Sequence, residues 1–319
     1  MAKFLIGLLA VIAVIAGAFW YYSTPDIPRG TLEAKYGTPP SQFITLADGA
    51  SAHVRDVGPR DAPVLVLIHG SNASLFTWSP WVARLKNNFR VVTMDMPGHG
   101  LTGAVPSNDY SQEAMVEFVK HVTDKLGLPA FAIGGNSMGG GIAARFAETY
   151  PARVTHLILV DAAGMNVKQG DKIPLAFRLA RIPVLNQILL HITPRKLVVE
   201  GLNDAIVRKS IITNTMIDQY WDFARMEGTR RATMLRFQNS WDTYVADHIA
   251  QIKAPTLILW GAEDHLIPVE AAHKFAAAIP GSKLVIYPAT GHIPQEEVPD
   301  QSAAAVRAFL TPAAQASAQ

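Results

Sequence analysis

One short stretch constrains this chain more than any other. Residues 131–140 read Phe-Ala-Ile-Gly-Gly-Asn-Ser-Met-Gly-Gly. An apolar run leads into Gly135-Asn136-Ser137-Met138-Gly139, and a helix-compatible segment follows over 142–150. Glycines two residues before and after the serine let a strand turn sharply into a helix without a side-chain collision. Such a turn strains the serine backbone and holds its hydroxyl clear, where a base and a substrate can both reach it.

A serine hydroxyl is a poor nucleophile at neutral pH and needs a base with an orienting acid. In a strand–turn–helix architecture of this kind the two follow the serine in the order acid, then histidine. The chain supplies both. Residues 255–261 read as a buried strand ending in a glycine turn, with Asp264 just beyond it. Residues 283–287 read as a further strand, running into a loop that carries Gly291-His292. Ser137, Asp264 and His292 thus all follow strand ends, the edge at which open α/β sheets bind ligands. The alternatives for the acid are Glu263, beside Asp264, and Asp161, which ends the strand over 156–160. His53, His121, His191, His248 and His273 fall in strands or helices, where surface or core roles account for them.

Acyl transfer also needs donors for a developing oxyanion. The strand over 64–68 is followed by His69-Gly70-Ser71-Asn72, and the N–H of Ser71 is the expected first donor. The second is the N–H of Met138, at the positive end of its helix. His69 reads as packing beneath the loop, and 94–100, closed by Pro97-Gly98-His99-Gly100, reads as a scaffolding turn.

These segments, with Trp260-Gly261-Ala262-Glu263-Asp264, resemble α/β-hydrolase-fold serine hydrolases, in the family's order and over 43–310. The run Gly-Gly-Asn-Ser-Met-Gly-Gly resembles bacterial lipases and monoacylglycerol lipases, and equally the C–C bond hydrolases of ring-fission products. The resemblance implies a mostly parallel eight-stranded sheet with helices on both faces and a helical cap inserted after strand 6. It implies a Ser137–Asp264–His292 triad, no cofactor and no metal. Epoxide hydrolases and haloalkane dehalogenases of this fold use an aspartate where this chain has Ser137. The expected activity is hydrolysis of a small-molecule carboxylic ester with a hydrophobic acyl group. The alternatives are C–C bond hydrolysis and a non-catalytic binding protein on the same scaffold.

The body agrees with that layout. Residues 43–57 read as an antiparallel hairpin with its turn at Asp48-Gly49, and strands then alternate with helices, the pattern of a parallel sheet. The core is expected over 43–164 and 251–311, the cap over 165–250, and a disordered tail over 312–319. In the cap, Leu175, Phe177, Leu179, Ile182, Val184, Leu185, Ile188, Leu189 and Leu190 are expected to form its core or line an acyl pocket. Trp221 and Trp241 are candidate pocket walls. Arg230, Arg231 and Arg236 read as surface or cap-base charges, while Arg178, Arg181 and Arg225 are candidates for a charged dienoate.

Hydrophobic residues make up 49% of the 319, enough for a large core, and the net charge of +2 carries no nucleic-acid footprint. The absence of cysteine excludes disulfides and a thiol nucleophile. Residues 4–22 are free of charge. As a helix at about 1.5 Å per residue they nearly span a hydrocarbon core of about 30 Å. With Lys3 before them and Trp20-Tyr21-Tyr22 after, residues 1–22 read as a transmembrane anchor, followed by a linker over 23–42. That places the catalytic body on the extracytoplasmic side of a bacterial inner membrane. The alternative is a signal peptide cleaved at Ala16-Gly17-Ala18, with secretion of the body.

Overall fold

The computed structural model describes residues 2–167, 182, 190–238 and 244–311, apart from some side chains of the first helix. Eight strands form one sheet: β1 (Ser41–Thr45), β2 (Ser51–Val57), β3 (Val64–Ile68), β4 (Arg90–Met94), β5 (Phe131–Asn136), β6 (Val154–Val160), β7 (Thr256–Gly261) and β8 (Lys283–Tyr287). Their order is β1-β2-β4-β3-β5-β6-β7-β8. Only β2 runs antiparallel, pairing β1 from Ser41↔Arg55 to Thr45↔Ser51 and β4 on its other side. The hairpin turn falls at the expected Asp48-Gly49, where Gly49 takes a φ of 83°. The mostly parallel eight-stranded sheet therefore agrees with the sequence reading.

The strand sequences explain why both faces are covered. β3, β5 and β7 are buried along their whole length, as strands of a parallel sheet between two helical layers must be. Alternate residues feed two separate cores. Val66, Ile68, Ile258 and Trp260 pack against α4 (Gln112–Lys125), α5 (Met138–Thr149) and α10 (Glu270–Ala278). Leu65, Leu67, Leu257 and Leu259 face α3 (Ser79–Leu85) and α12 (Pro299–Leu310). The second layer is locked by Trp81, which donates through Nε1 to Ser302 Oγ at 2.8 Å and lies 5.0 Å from the Trp78 ring.

Between β6 and β7 the described chain contains no strand. It carries α6 (Arg195–Ala205), α7 (Asn214–Ala224), α8 (Thr229–Gln238) and the short α9 (Tyr244–His248). Of the apolar positions expected in this insertion, Ile182 is exposed. Leu175, Phe177, Leu179, Val184, Leu185, Ile188 and Leu189 lie outside the described residues, as do Trp241, Arg178, Arg181 and the tail over 312–319.

The N-terminus requires a correction. Ala2–Tyr22 is a helix, α1. Among the described residues, however, no helix is long and apolar enough to cross a membrane. A span needs about twenty consecutive apolar residues. The transmembrane anchor and the inner-membrane, extracytoplasmic placement built on it are therefore withdrawn. The end of α1 instead meets the insertion: the Phe19 ring stands edge-on to His191 at 5.7 Å, and Thr24 N–H donates to the His191 carbonyl at 2.8 Å. The expected linker is laced to the body through α2 (Arg29–Tyr36), where Lys35 and Tyr36 both donate to Asp222.

Trp81→Ala removes a fully buried indole together with the N–H that donates to the Ser302 hydroxyl. The expected loss is about 3–5 kcal/mol of unfolding free energy, measured by urea titration. A loss below about 1 kcal/mol would contradict this account of the second layer.

Candidate active site

The turn between β5 and α5 is as tight as the glycine pattern implies. Ser137 has φ 55° and ψ −122°, inside the left-handed region that L-residues avoid. A Cβ on Gly135 would sit 2.1 Å from the Gly139 carbonyl oxygen, and one on Gly139 would sit 2.2 Å from the Ile68 oxygen. Neither position admits a side chain. Strain of this kind costs about 1–3 kcal/mol and persists only where the surroundings over-determine it. Here Ser137 N–H donates to Val160 O at 3.0 Å, and the Ser137 carbonyl accepts from Gly140 and Ala163, both at 2.9 Å. Ser137 is also the N-cap of α5, yet its side chain makes no capping bond. The hydroxyl is left to the cavity in front of it.

His292 lies on the loop after β8, with Nδ1 2.7 Å from Asp264 Oδ2. A carboxylate can only accept, so the proton sits on Nδ1 and Nε2 keeps its lone pair. Asp264 is fixed in turn, since Oδ1 accepts from Leu266 N–H at 2.8 Å and Ile267 N–H at 3.1 Å. The elbow reaches this loop through Asn136, whose Nδ2 donates to the carbonyls of Val160 at 3.2 Å and His292 at 2.9 Å. Glu263 is exposed. Asp161 is buried beside Asp264 at φ 43° and accepts from Gly261 N–H. Burial and the charge of Asp264 push its carboxyl well above the usual carboxylate range. Asp161, Asp264 and His292 bring ligand-type atoms within 4.8 Å of one another, but three hydrogen bonds already engage both oxygens of Asp264. That donor set suits an orienting acid better than a cation.

Ser71, Ser137 and His292 line one cavity of about 250 Å³. Its walls are mainly apolar, with Leu190, Leu197, Leu202, Phe223 and Ile293 among them. Met138 follows Ser137 as the first residue of α5. Gly98, His99 and Gly100 also reach the cavity, so the turn over 94–100 is wall as well as scaffold. His69 is spent on backbone, its Nδ1 donating to Gly70 O and its Nε2 accepting from Met96 N–H. Trp221 does not line the cavity; it donates to Thr193 O, which does.

Two arginines differ from the sequence reading. Arg231 is exposed as expected, but Arg230 and Arg236 are buried. Arg230 lines the cavity and donates to the carbonyls of Leu190 and Thr24. Arg236 donates to Ser71 Oγ at 2.6 Å and Asn72 Oδ1 at 3.0 Å, with Met138 Sδ at 3.9 Å. Burial lowers its pKa to about 10. It thus holds the loop and the helix start that carry both expected oxyanion donors. For Arg230 a signal existed: Arg230, Thr233, Met234 and Phe237 recur at helical spacing and share the cavity-facing side of α8.

The profile of the α/β hydrolase fold matches residues 63–299. The chain belongs to that family. An uncharacterised protein of Mycobacterium tuberculosis is 30% identical over 285 residues, covering 85% of this hydrolase and 82% of the relative. The 2-hydroxy-6-oxononadienedioate/2-hydroxy-6-oxononatrienedioate hydrolase of Comamonas testosteroni is 27% identical over 278 residues, covering 82% of this chain and 92% of that one. Among solved structures, a bacterial membrane phospholipase A matches with a TM-score of 0.72 at 25% identity, over 97% of this chain and 98% of the other.

One wall of the hydrolase carries a proton-sensitive group. The Glu296 carboxyl accepts from the Thr77 hydroxyl, and burial pushes its pKa up to about 7 from 4.5. A carboxyl raised on folding favours the native state while protonated, and that contribution is lost as pH rises from about 4.5 to about 7. Glu296→Gln is expected to match the wild-type melting temperature near pH 5 and exceed it by a few degrees at pH 8. Equal melting temperatures at both pH values would contradict the burial argument.

Proposed function

We propose that this hydrolase cleaves carboxylic esters of hydrophobic acyl groups through an acyl-enzyme on Ser137. The observation that carries the reading is the shared cavity: a strained serine with an uncommitted hydroxyl and an Asp264-oriented imidazole open into one apolar space. His292 Nε2 takes the Ser137 proton as the oxygen attacks the ester carbonyl. Asp264 holds the tautomer and stabilises the imidazolium. The N–H groups of Ser71 and Met138 receive the oxyanion, the second aided by the positive end of α5. Protonated His292 then releases the alcohol, and a water activated by the same imidazole frees the acid.

C–C bond hydrolysis of a ring-fission dienoate is the competing reading. It is favoured by the likeness to the Comamonas enzyme and by Arg230 on the cavity wall, a cation able to meet a carboxylate. Against it, Arg230 is already committed to three backbone carbonyls and to Asp26. Arg225 pairs with Asp222 and lies over the Trp221 ring at 3.6 Å. The apolar walls suit an acyl chain better than a dicarboxylate.

Rates on p-nitrophenyl esters from acetate to palmitate test the proposal. Turnover is expected to peak at one chain length and to fall by about 10⁴-fold or more in Ser137→Ala. Unchanged ester hydrolysis in that variant would refute it. Inertness toward every ester, with turnover of a dienoate, would establish the competing reading.

A further inference from the structure

Glu297 ends α11 (Pro294–Glu297) and is 3% exposed, yet no cation among the described residues pairs with it. Its carboxylate is satisfied by three backbone donors from two distant segments. Oε1 accepts from Gly291 N–H at 2.8 Å, in the histidine loop. Oε2 accepts from Val207 and Arg208 N–H, each at 2.9 Å, just past the end of α6. The same two segments meet again where His292 N–H donates to the Ala205 carbonyl at 2.8 Å. Ala205 is the last residue of α6. The backbone of His292 thus satisfies a carbonyl that a helix end leaves open. The approach is close: a Cβ on Gly291 would lie 2.4 Å from Ala205 O and 2.9 Å from Glu297 Oε1. Meanwhile α6 supplies Leu197, Val198, Leu202 and Ala205 to the cavity wall.

We propose that Glu297 is a positioning residue that fastens the His292 loop to the end of α6, so that the imidazole is in register only when α6 is seated over the cavity. This rests on reading His292 as the general base. Glu297 touches no reacting atom and acts through the loop. A cavity filled by an acyl chain supports α6, and α6 supports the base, which links substrate fit to turnover as well as to binding.

Glu297→Gln tests the coupling. Its amide keeps one acceptor oxygen and turns an NH₂ toward backbone N–H groups. Displacement of a catalytic group by about 1 Å costs on the order of 10²-fold. The expected result is a fall in kcat of about 10–100-fold with KM changed by less than about 3-fold. Val207→Pro is the second variant. It replaces a donor on the α6 side by a ring carbon that presses on Glu297 Oε2, with no substitution in the histidine loop, and Ile206, at φ −107° and ψ 128°, already has the backbone that precedes proline. It is expected to lower kcat in the same way.

The downfield proton resonance of His292 Nδ1 supplies a readout independent of turnover. It is expected in wild type and in Ser137→Ala, and displaced or lost in both clamp variants at temperatures where thermal unfolding shows them folded. If wild type hydrolyses no ester while the resonance still moves, the ester reading fails and the coupling stands. If folded Glu297→Gln keeps the wild-type resonance and kcat, or Val207→Pro changes only KM, the proposal is overturned.

Discussion

The site depends on how closely α5 can approach the sheet after β5. Three backbone segments, at 68–69, 135–140 and 160–163, are pressed together with no room for a Cβ at Gly135 or Gly139. That closeness leaves Ser137 no relaxed conformation and points its side chain out of the crowded turn. The cost is met by the hydrogen bonds that hold the elbow to β6 and by burial of the α5 face that Ile142, Ala143 and Phe146 present to the core. An elbow this constrained is a fixed reference point. The loops after β3, β7 and β8 need only be short and well anchored to bring Ser71, Asp264 and His292 to the same side.

Those anchors are polar and buried, which gives the site its electrical character. The imidazole faces Asp264, whose two oxygens accept three hydrogen bonds. The neighbouring Asp161 has one donor and is pushed toward its neutral form. Behind Ser71 and Asn72, Arg236 brings a buried cation to their side chains. The cavity therefore runs from an anionic side behind the imidazole to a cationic side behind the expected oxyanion donors. A reaction that moves negative charge onto a carbonyl oxygen suits that gradient.

Legible in the sequence are the features that local pattern dictates. The hairpin turn at Asp48-Gly49, the buried strands 64–68 and 256–261, and the glycine spacing around Ser137 all follow from residue type and period. So does the position of Asp264 and His292 past strand ends. Features that depend on distant segments meeting are not legible. Nothing local marks Arg236 as buried, because its partners lie at 71–72 and 138. Nothing local marks Glu297, whose three donors come from 207–208 and 291. Hydropathy alone suggests a spanning helix over 4–22. It says nothing of Phe19 and Thr24 meeting His191, and no helix among the described residues meets the length and apolarity of a span.

The central claim is that Ser137 is the nucleophile. The most direct measurement is the intact mass of the full chain after reaction with an alkyl p-nitrophenyl phosphonate, followed by peptide mapping. The account predicts one phosphonyl group per chain, on the peptide carrying Ser137, with ester turnover lost in proportion to labelling. Full inactivation with the adduct on another residue, or persistent ester turnover in fully labelled protein, would contradict it.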